Sequence, residues 1–455
     1  MRRQIWPMIL GVLGAMALGA CSDDEEAPVN AAGTGGRGGT SGAGGTSGAA
    51  GRGGQSGSSG QSGSGGSAGS SGSGGAAGSA GTTDGGGSGG TGATGGSAGT
   101  DGGTQFDGRD VFRNDTFGDE RYWTDQLRMH EVVETVPPTT ALAVGLKVDS
   151  EMVPANVLAT ADLSAPATTV ALLKLGAVVG LKAEVNSSNK VTRLGITCAL
   201  CHSDVDNSVQ AGIGKRRDGY ANRDLDPGKI VALSPALTAE QKAVLNSWGK
   251  GKYDARWNQD GQNKPVLIPP IYGLKDVALE TYTGDGPISY WNSYVAVTQM
   301  GGNGQFFDPR VDVSVIRTPD VVTPKLPALY AYQISIPKPT PAQGSFDAAA
   351  AARGKALFEG TKAKCSSCHS GATLSDAAER LHAASETGME PVHAQRSATG
   401  KYRTTPLRAL ALHAPYFHDG SAATLPAVVD HYDTHLSLGL TAPEKADLVE
   451  YLKSL

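Results

Sequence analysis

Two short segments of the chain carry residues whose types and spacing can do chemistry: Cys198-Ala-Leu-Cys201-His202 and Cys365-Ser-Ser-Cys368-His369. Both read C-x-x-C-H, the spacing of covalent haem attachment. Two thiols at this separation reach the two vinyl groups of one porphyrin while the adjacent histidine turns inward to ligate iron. The other readings are a redox dithiol and a Cys/His zinc site. A dithiol needs no following histidine in either copy, and export through an oxidising compartment disfavours zinc thiolates. Cys198, Cys201, Cys365 and Cys368 are therefore expected to bind two c-type haems, with His202 and His369 as proximal iron ligands. The fifth cysteine, Cys21, makes the count odd, and its surroundings account for it.

Arg2 and Arg3 precede a mostly apolar run from Ile5 to Ala20, short enough and close enough to the start to be an export signal over 1–20. The run ends in Leu18-Gly19-Ala20-Cys21, followed by the acidic Asp23 to Glu26. It resembles the lipobox of bacterial lipoproteins, which implies an acylated Cys21 and a lipid bilayer as partner. Acyl chains add about 0.8 kcal/mol per buried methylene, so several chains anchor stably. From Ala31 to Thr104 the chain is Gly, Ser, Thr and Ala with almost no large side chain. Such a stretch cannot offset its ordering entropy, so 21–104 reads as a disordered tether with a reach of about 50 Å. The predicted location is the cell envelope, facing the periplasm or exterior.

The remainder is long enough for two packed cores, which excludes a small disulfide-stapled module. A net charge of -5 with no Lys/Arg cluster among aromatics gives no field for nucleic acid. Prolines from Thr318 to Pro341 suggest an interdomain segment over 318–345, dividing a first haem domain at 105–317 from a second at 346–455. Phe346 to Gly360 reads as a helix leading into the second haem motif. Thr441-Ala-Pro-Glu444 reads as a capping box opening a closing helix, and Thr238-Ala-Glu-Gln241 as another in the first domain. Few alternating β-branched runs occur, so the expected fold is mainly α with long loops.

A helix before C-x-x-C-H and another at the carboxyl end, with Gly354 allowing close approach near Tyr451, resembles the crossed helices of class I cytochrome c. The segment from Arg403 to Leu425, containing Pro415-Tyr-Phe-His-Asp-Gly420, and Gly354-Lys-Ala-Leu-Phe358 ahead of the second haem resemble the bacterial di-haem cytochrome c peroxidases. That superfamily also holds the enzymes that mature methylamine dehydrogenase. The resemblance implies two cytochrome c-like domains. One haem passes electrons from a small periplasmic donor, while the other, usually the amino-terminal one, keeps an open face for hydrogen peroxide. The rival functions are a tethered, non-enzymatic electron carrier and a di-haem oxygenase or maturase.

For the sixth ligand of the second haem the inventory leaves Met389, His418, His431 and Tyr432. The peroxidases place a Met shortly after the Pro-Tyr-Phe-His-Asp-Gly segment, and Tyr432 aligns with that place. Between Ser203 and Cys368 there is no histidine and Met300 is the single methionine. The first iron is then open, or closed by Met300, His130 or a tyrosine. An open iron reduces peroxide with the help of a distal acid or amide, for which Glu280 and Gln299 are the candidates. Where the peroxidases carry a Trp beside Asp-Gly-Arg, this chain has Tyr282-Thr-Gly-Asp285-Gly286-Pro287, with Trp291 nearby as a core aromatic. The run from Phe112 to Asp125 has no assignable mechanism in the sequence, cover for the first haem being the simplest reading.

Overall fold

The computed structural model describes residues 106–455. The export signal, Cys21 and the tether lie outside the described residues. Among those described, no helix is long and apolar enough to cross a membrane.

Short helices alternate with long loops, and each sheet is a two-stranded ladder. The expectation of a mainly α chain is corrected here to a mixed one. The longest ladder pairs Leu181–Val185 antiparallel with Val191–Ile196. Its turn is made by Asn186, whose side chain accepts from Ser188 and Lys190 backbone N–H groups, and by Asn189 at φ 57°. Asparagine tolerates that conformation and hydrogen-bonds its own backbone, so the Asn-Ser-Ser-Asn cluster was the available hairpin signal.

Two apolar clusters fill the first part of the chain. One gathers Phe112, Phe117, Tyr294, Val297 and Leu329. The other gathers Trp123, Leu127, Val133, Leu172 and Leu194. The Phe112 to Asp125 run contributes to both. The stretch expected as an interdomain segment contains a helix, Leu326–Ser335, whose Leu329 is 1% exposed within the first cluster. Pro327 sits in its first turn, where the missing N–H costs nothing. Within that stretch Pro327 thus starts a packed helix.

The third cluster, Phe358, Leu425, Val429, Leu448, Val449, Tyr451 and Leu452, lies in the carboxyl region. Its frame is the Ala348–Glu359 helix against the Ala442–Ser454 helix. The first is capped by Asp347, whose side chain accepts from Ala350 N at 2.9 Å, and its Ala-rich sequence favours helix. In the second, Thr441 N donates to Glu444 Oε2 at 2.8 Å, with Pro443 in the first turn. The two meet at Gly354: a Cβ there would lie 2.0 Å from Asp447 O. The Ala239–Asn246 helix opens with the Thr238/Gln241 box.

Candidate haem sites

The first C-x-x-C-H segment forms the one-turn helix Ala199–His202. Gly180, at φ +78°, brings its backbone against that turn, where a Cβ would sit 2.2 Å from Leu200 Cα. Only glycine serves both demands. Downstream, Asn222 N donates to Cys201 O and Gly219 N to His202 O, at 2.9 and 2.8 Å. The imidazole is fixed from the other side, with Nδ1 of His202 3.0 Å from Pro269 O. A carbonyl only accepts, so Nδ1 carries the hydrogen and Nε2 presents its lone pair, the arrangement in which histidines bind metals. Burial drives the His202 pKa down to about 4 against the opposing Pro269 bond, so the ring is neutral and ready to ligate.

His202, Cys198 and Cys201 line a largely apolar cavity of about 330 Å³. Burial pushes both thiols up to about 12. Glu280, Gln299 and Met300 line the same cavity, as does Trp291, whose Nε1 lies 3.2 Å from Glu280 O. His130 is not among the lining residues.

The two distal candidates differ in what they have to spare. Gln299 accepts from Tyr253 Oη at 3.0 Å and donates through Nε2 to Thr298 Oγ1 at 2.9 Å and Asn258 Oδ1 at 3.1 Å. Both its donors are engaged within the protein. Glu280 is 3% exposed and paired through Oε2 with Arg403 at 3.3 Å, while its buried Oε1 has no hydrogen bond and faces the Arg408 guanidinium at 3.9 Å. Met300 is 3% exposed, and its carbonyl accepts from Trp123 Nε1 at 2.9 Å.

The carboxyl region also reaches this cavity: His393, Arg396 and His418 line it. Arg396 donates to Asp254 at 2.9 Å and Asp260 at 2.6 Å, tying the two parts of the chain together. Leu267 N, two residues before Pro269, donates to His418 O at 2.7 Å. His418, one of the four second-haem candidates, lies with Nε2 3.0 Å from Glu390 Oε1. Sequence reasoning did not single out His393. The spacing Glu390-Pro-Val-His393 was the signal that could have found it.

At the second site Cys365–Ser367 is a single 3-10 turn, and His369 N bonds back to Cys365 O at 2.9 Å. Nδ1 of His369 lies 3.0 Å from Leu374 O, repeating the first site's arrangement. Burial lowers the His369 pKa as well, and burial raises Cys365 to about 11. Phe358 packs with its ring 6.2 Å from His369 and 5.1 Å from Tyr451, so the helix crossing at Gly354 also seats the ligand. Tyr432, on the Leu425–Leu436 helix, is pushed up to about 12, first by burial and then by Cys368 and Cys365 beside it. Its hydroxyl makes no hydrogen bond to any described residue. Phe417 and His431 flank its ring, and His431 itself bonds to Thr387 O at 2.9 Å. Met389 is half-buried after the Ala384–Thr387 turn. Both C-x-x-C-H turns thus offer what a c-type haem requires: paired thiols and a neutral histidine with Nε2 free.

No protein-family profile matches the chain. A stretch of 124 residues is 36% identical to the methylamine utilization protein MauG of Methylorubrum extorquens, covering 23% of this chain and 34% of that protein. The chain thus spans about a third of this curated relative. Among solved structures, hydrazine synthase of Kuenenia stuttgartiensis aligns with 46% of this chain and 74% of its own, at TM-score 0.32 and 19% identity. A MauG-like protein associated with microbial copper homeostasis aligns with 29% of this chain and 52% of its own, at TM-score 0.24 and 29% identity.

Proposed function

We propose that the chain is a di-haem c-type cytochrome of the peroxidase-like superfamily, with two cytochrome c-like domains. In this reading it reduces hydrogen peroxide at an open first haem with electrons that enter through the second. The observation that carries it is the pair of C-x-x-C-H turns, each with histidine Nδ1 spent on a backbone carbonyl 3.0 Å away. The similarity to MauG supports the superfamily.

Bound haem supplies the redox chemistry; the chain supplies ligation, access and proton handling. The four cysteines form thioethers, and His202 and His369 present Nε2 to iron. The apolar walls around His202 exclude bulk water, which strengthens every polar contact inside. Glu280, whose Oε1 faces Arg408 at 3.9 Å without a hydrogen bond, is the side chain placed to handle a proton at the departing oxygen. Gln299 positions Tyr253. Met300 packs in the cavity wall. Tyr432, whose ring lies beside Cys368 and Cys365, is the residue that would hold the second iron from the other side, and an oxygen ligand there would favour the ferric state. An acylated Cys21 anchors the protein in the cell envelope, where a small periplasmic donor supplies electrons.

Intact-mass spectrometry of protein purified from the membranes of a bacterium with a cytochrome c maturation system tests this reading. It predicts a chain carrying two haems and lipid on Cys21, and one haem fewer after Cys198→Ala with Cys201→Ala. A wild-type mass with no covalent haem overturns it.

A further inference from the structure

Away from the two haem turns, three side chains of metal-ligand type converge on one point. Glu390 and His393 stand three residues apart at the start of the Val392–Gln395 turn, and His418 comes from the loop after Phe417. Glu390 Oε1 lies 3.0 Å and His393 Nδ1 lies 3.1 Å from His418 Nε2. His393 Nδ1 also touches Glu390 Oε1. His418 is 3% exposed.

The proton inventory of this trio is awkward without a cation. Nε2 of His393 is 3.0 Å from Lys264 O, which only accepts, so Nε2 carries the hydrogen. In a neutral ring Nδ1 then turns a lone pair towards the carboxylate oxygen. If the ring is instead doubly protonated, it donates to the carboxylate oxygen while its Nδ1 crowds His418 Nε2 at 3.1 Å. A divalent ion at the common point accepts all three lone pairs together. The Lys264 carbonyl is then the outer-shell partner that metal-bound histidines regularly have.

We propose that Glu390 Oε1, His393 Nδ1 and His418 Nε2 bind one divalent transition-metal ion, zinc being well suited to two imidazoles and one carboxylate. Metal bonds of about 2.0–2.2 Å in a tetrahedral site set ligand atoms roughly 3.3–3.5 Å apart, so the two contacts to His418 open by a few tenths of an ångström and the closer Glu390–His393 contact opens further. Three protein ligands leave a fourth position, as in catalytic rather than structural zinc sites. Tyr402 Oη, 3.3 Å from Glu390 Oε1 and 3.4 Å from His418 Nε2, is next to that position. Because His393 and His418 also line the cavity beside His202, the ion stands in that cavity's wall.

The test is a zinc sulfate titration of haem-loaded, full-length protein after dialysis against EDTA, followed calorimetrically and by zinc analysis of the gel-filtered product. The expected result is one zinc per chain, an X-ray absorption spectrum with two imidazole ligands, and loss of that zinc in Glu390→Gln and in His393→Gln. Haem content and the Soret band stay as in the wild type in both variants, so failure of the haem reading registers separately. Wild-type protein that retains no zinc overturns the proposal whatever the variants do. Equal zinc in the wild type and both variants overturns it as well.

Discussion

Replacing Gly354 by alanine sets two effects of opposite sign against each other. In an isolated helix the change stabilises by about 0.8–1.0 kcal/mol. Here the added methyl would lie 2.0 Å from Asp447 O, 2.5 Å from Asp447 C and 2.9 Å from Tyr451 Cβ, where ordinary contact is 3.4–4 Å. The atoms in the way are backbone, so the Ala348–Glu359 and Ala442–Ser454 helices must part by more than an ångström. Overpacking of this kind costs about 1–3 kcal/mol, occasionally more, and the backbone clash places this site at the upper end. The net effect is a loss of about 1–2 kcal/mol, or several degrees in melting temperature. Because Phe358 bridges Tyr451 to His369, the displacement also reaches the second haem turn. Thermal melts followed by far-UV circular dichroism and by Soret absorption read both consequences. A Gly354→Ala protein that melts above the wild type, as helix propensity alone requires, refutes the close-crossing argument.

Three further outcomes follow from particular contacts. Arg396→Met leaves Asp254, whose side chain is 2% exposed, without its guanidinium. It should lower the unfolding free energy by about 3–5 kcal/mol, and an unchanged urea midpoint contradicts this. Burial, then the charges of Arg408 and Arg223, holds His413 down to about 3. Below its ordinary pKa of about 6.5 the unfolded chain takes up a proton that the folded one refuses. Stability conferred by the neutral ring is thus present above pH ~6.5 and is lost as pH falls towards about 3. His413→Gln should flatten that acid limb, and identical pH profiles refute the assignment. Tyr432→Phe should raise the midpoint potential of one haem by removing an oxygen ligand that favours ferric iron; an unchanged redox titration sinks Tyr432 as the ligand.

The haem turns were legible in the sequence because C-x-x-C-H is local: all its geometry lies within five residues. Capping boxes were legible for the same reason, and the Thr238 and Thr441 helices start where their side chains dictate. Gly354 was readable through its place one turn ahead of Phe358. The ladders were not, since two-residue pairs such as Val148–Asp149 with Ile213–Gly214 are made by long-range contacts and leave no periodic pattern. Nor was the membership of the first cavity, where His393, Arg396 and His418 arrive from well over a hundred residues downstream of His202. In the Pro-rich stretch the helix Leu326–Ser335 was not legible, because Pro327 marks its start and composition alone does not separate a helix start from a spacer.

The most direct test of an open first haem beside a closed second one is a low-temperature EPR spectrum of fully haem-loaded ferric protein, repeated after half-reduction and after hydrogen peroxide. The account predicts one high-spin ferric signal that peroxide consumes, next to one low-spin signal. Two low-spin signals in the ferric protein, with no high-spin signal appearing on half-reduction and no change on adding peroxide, would contradict it.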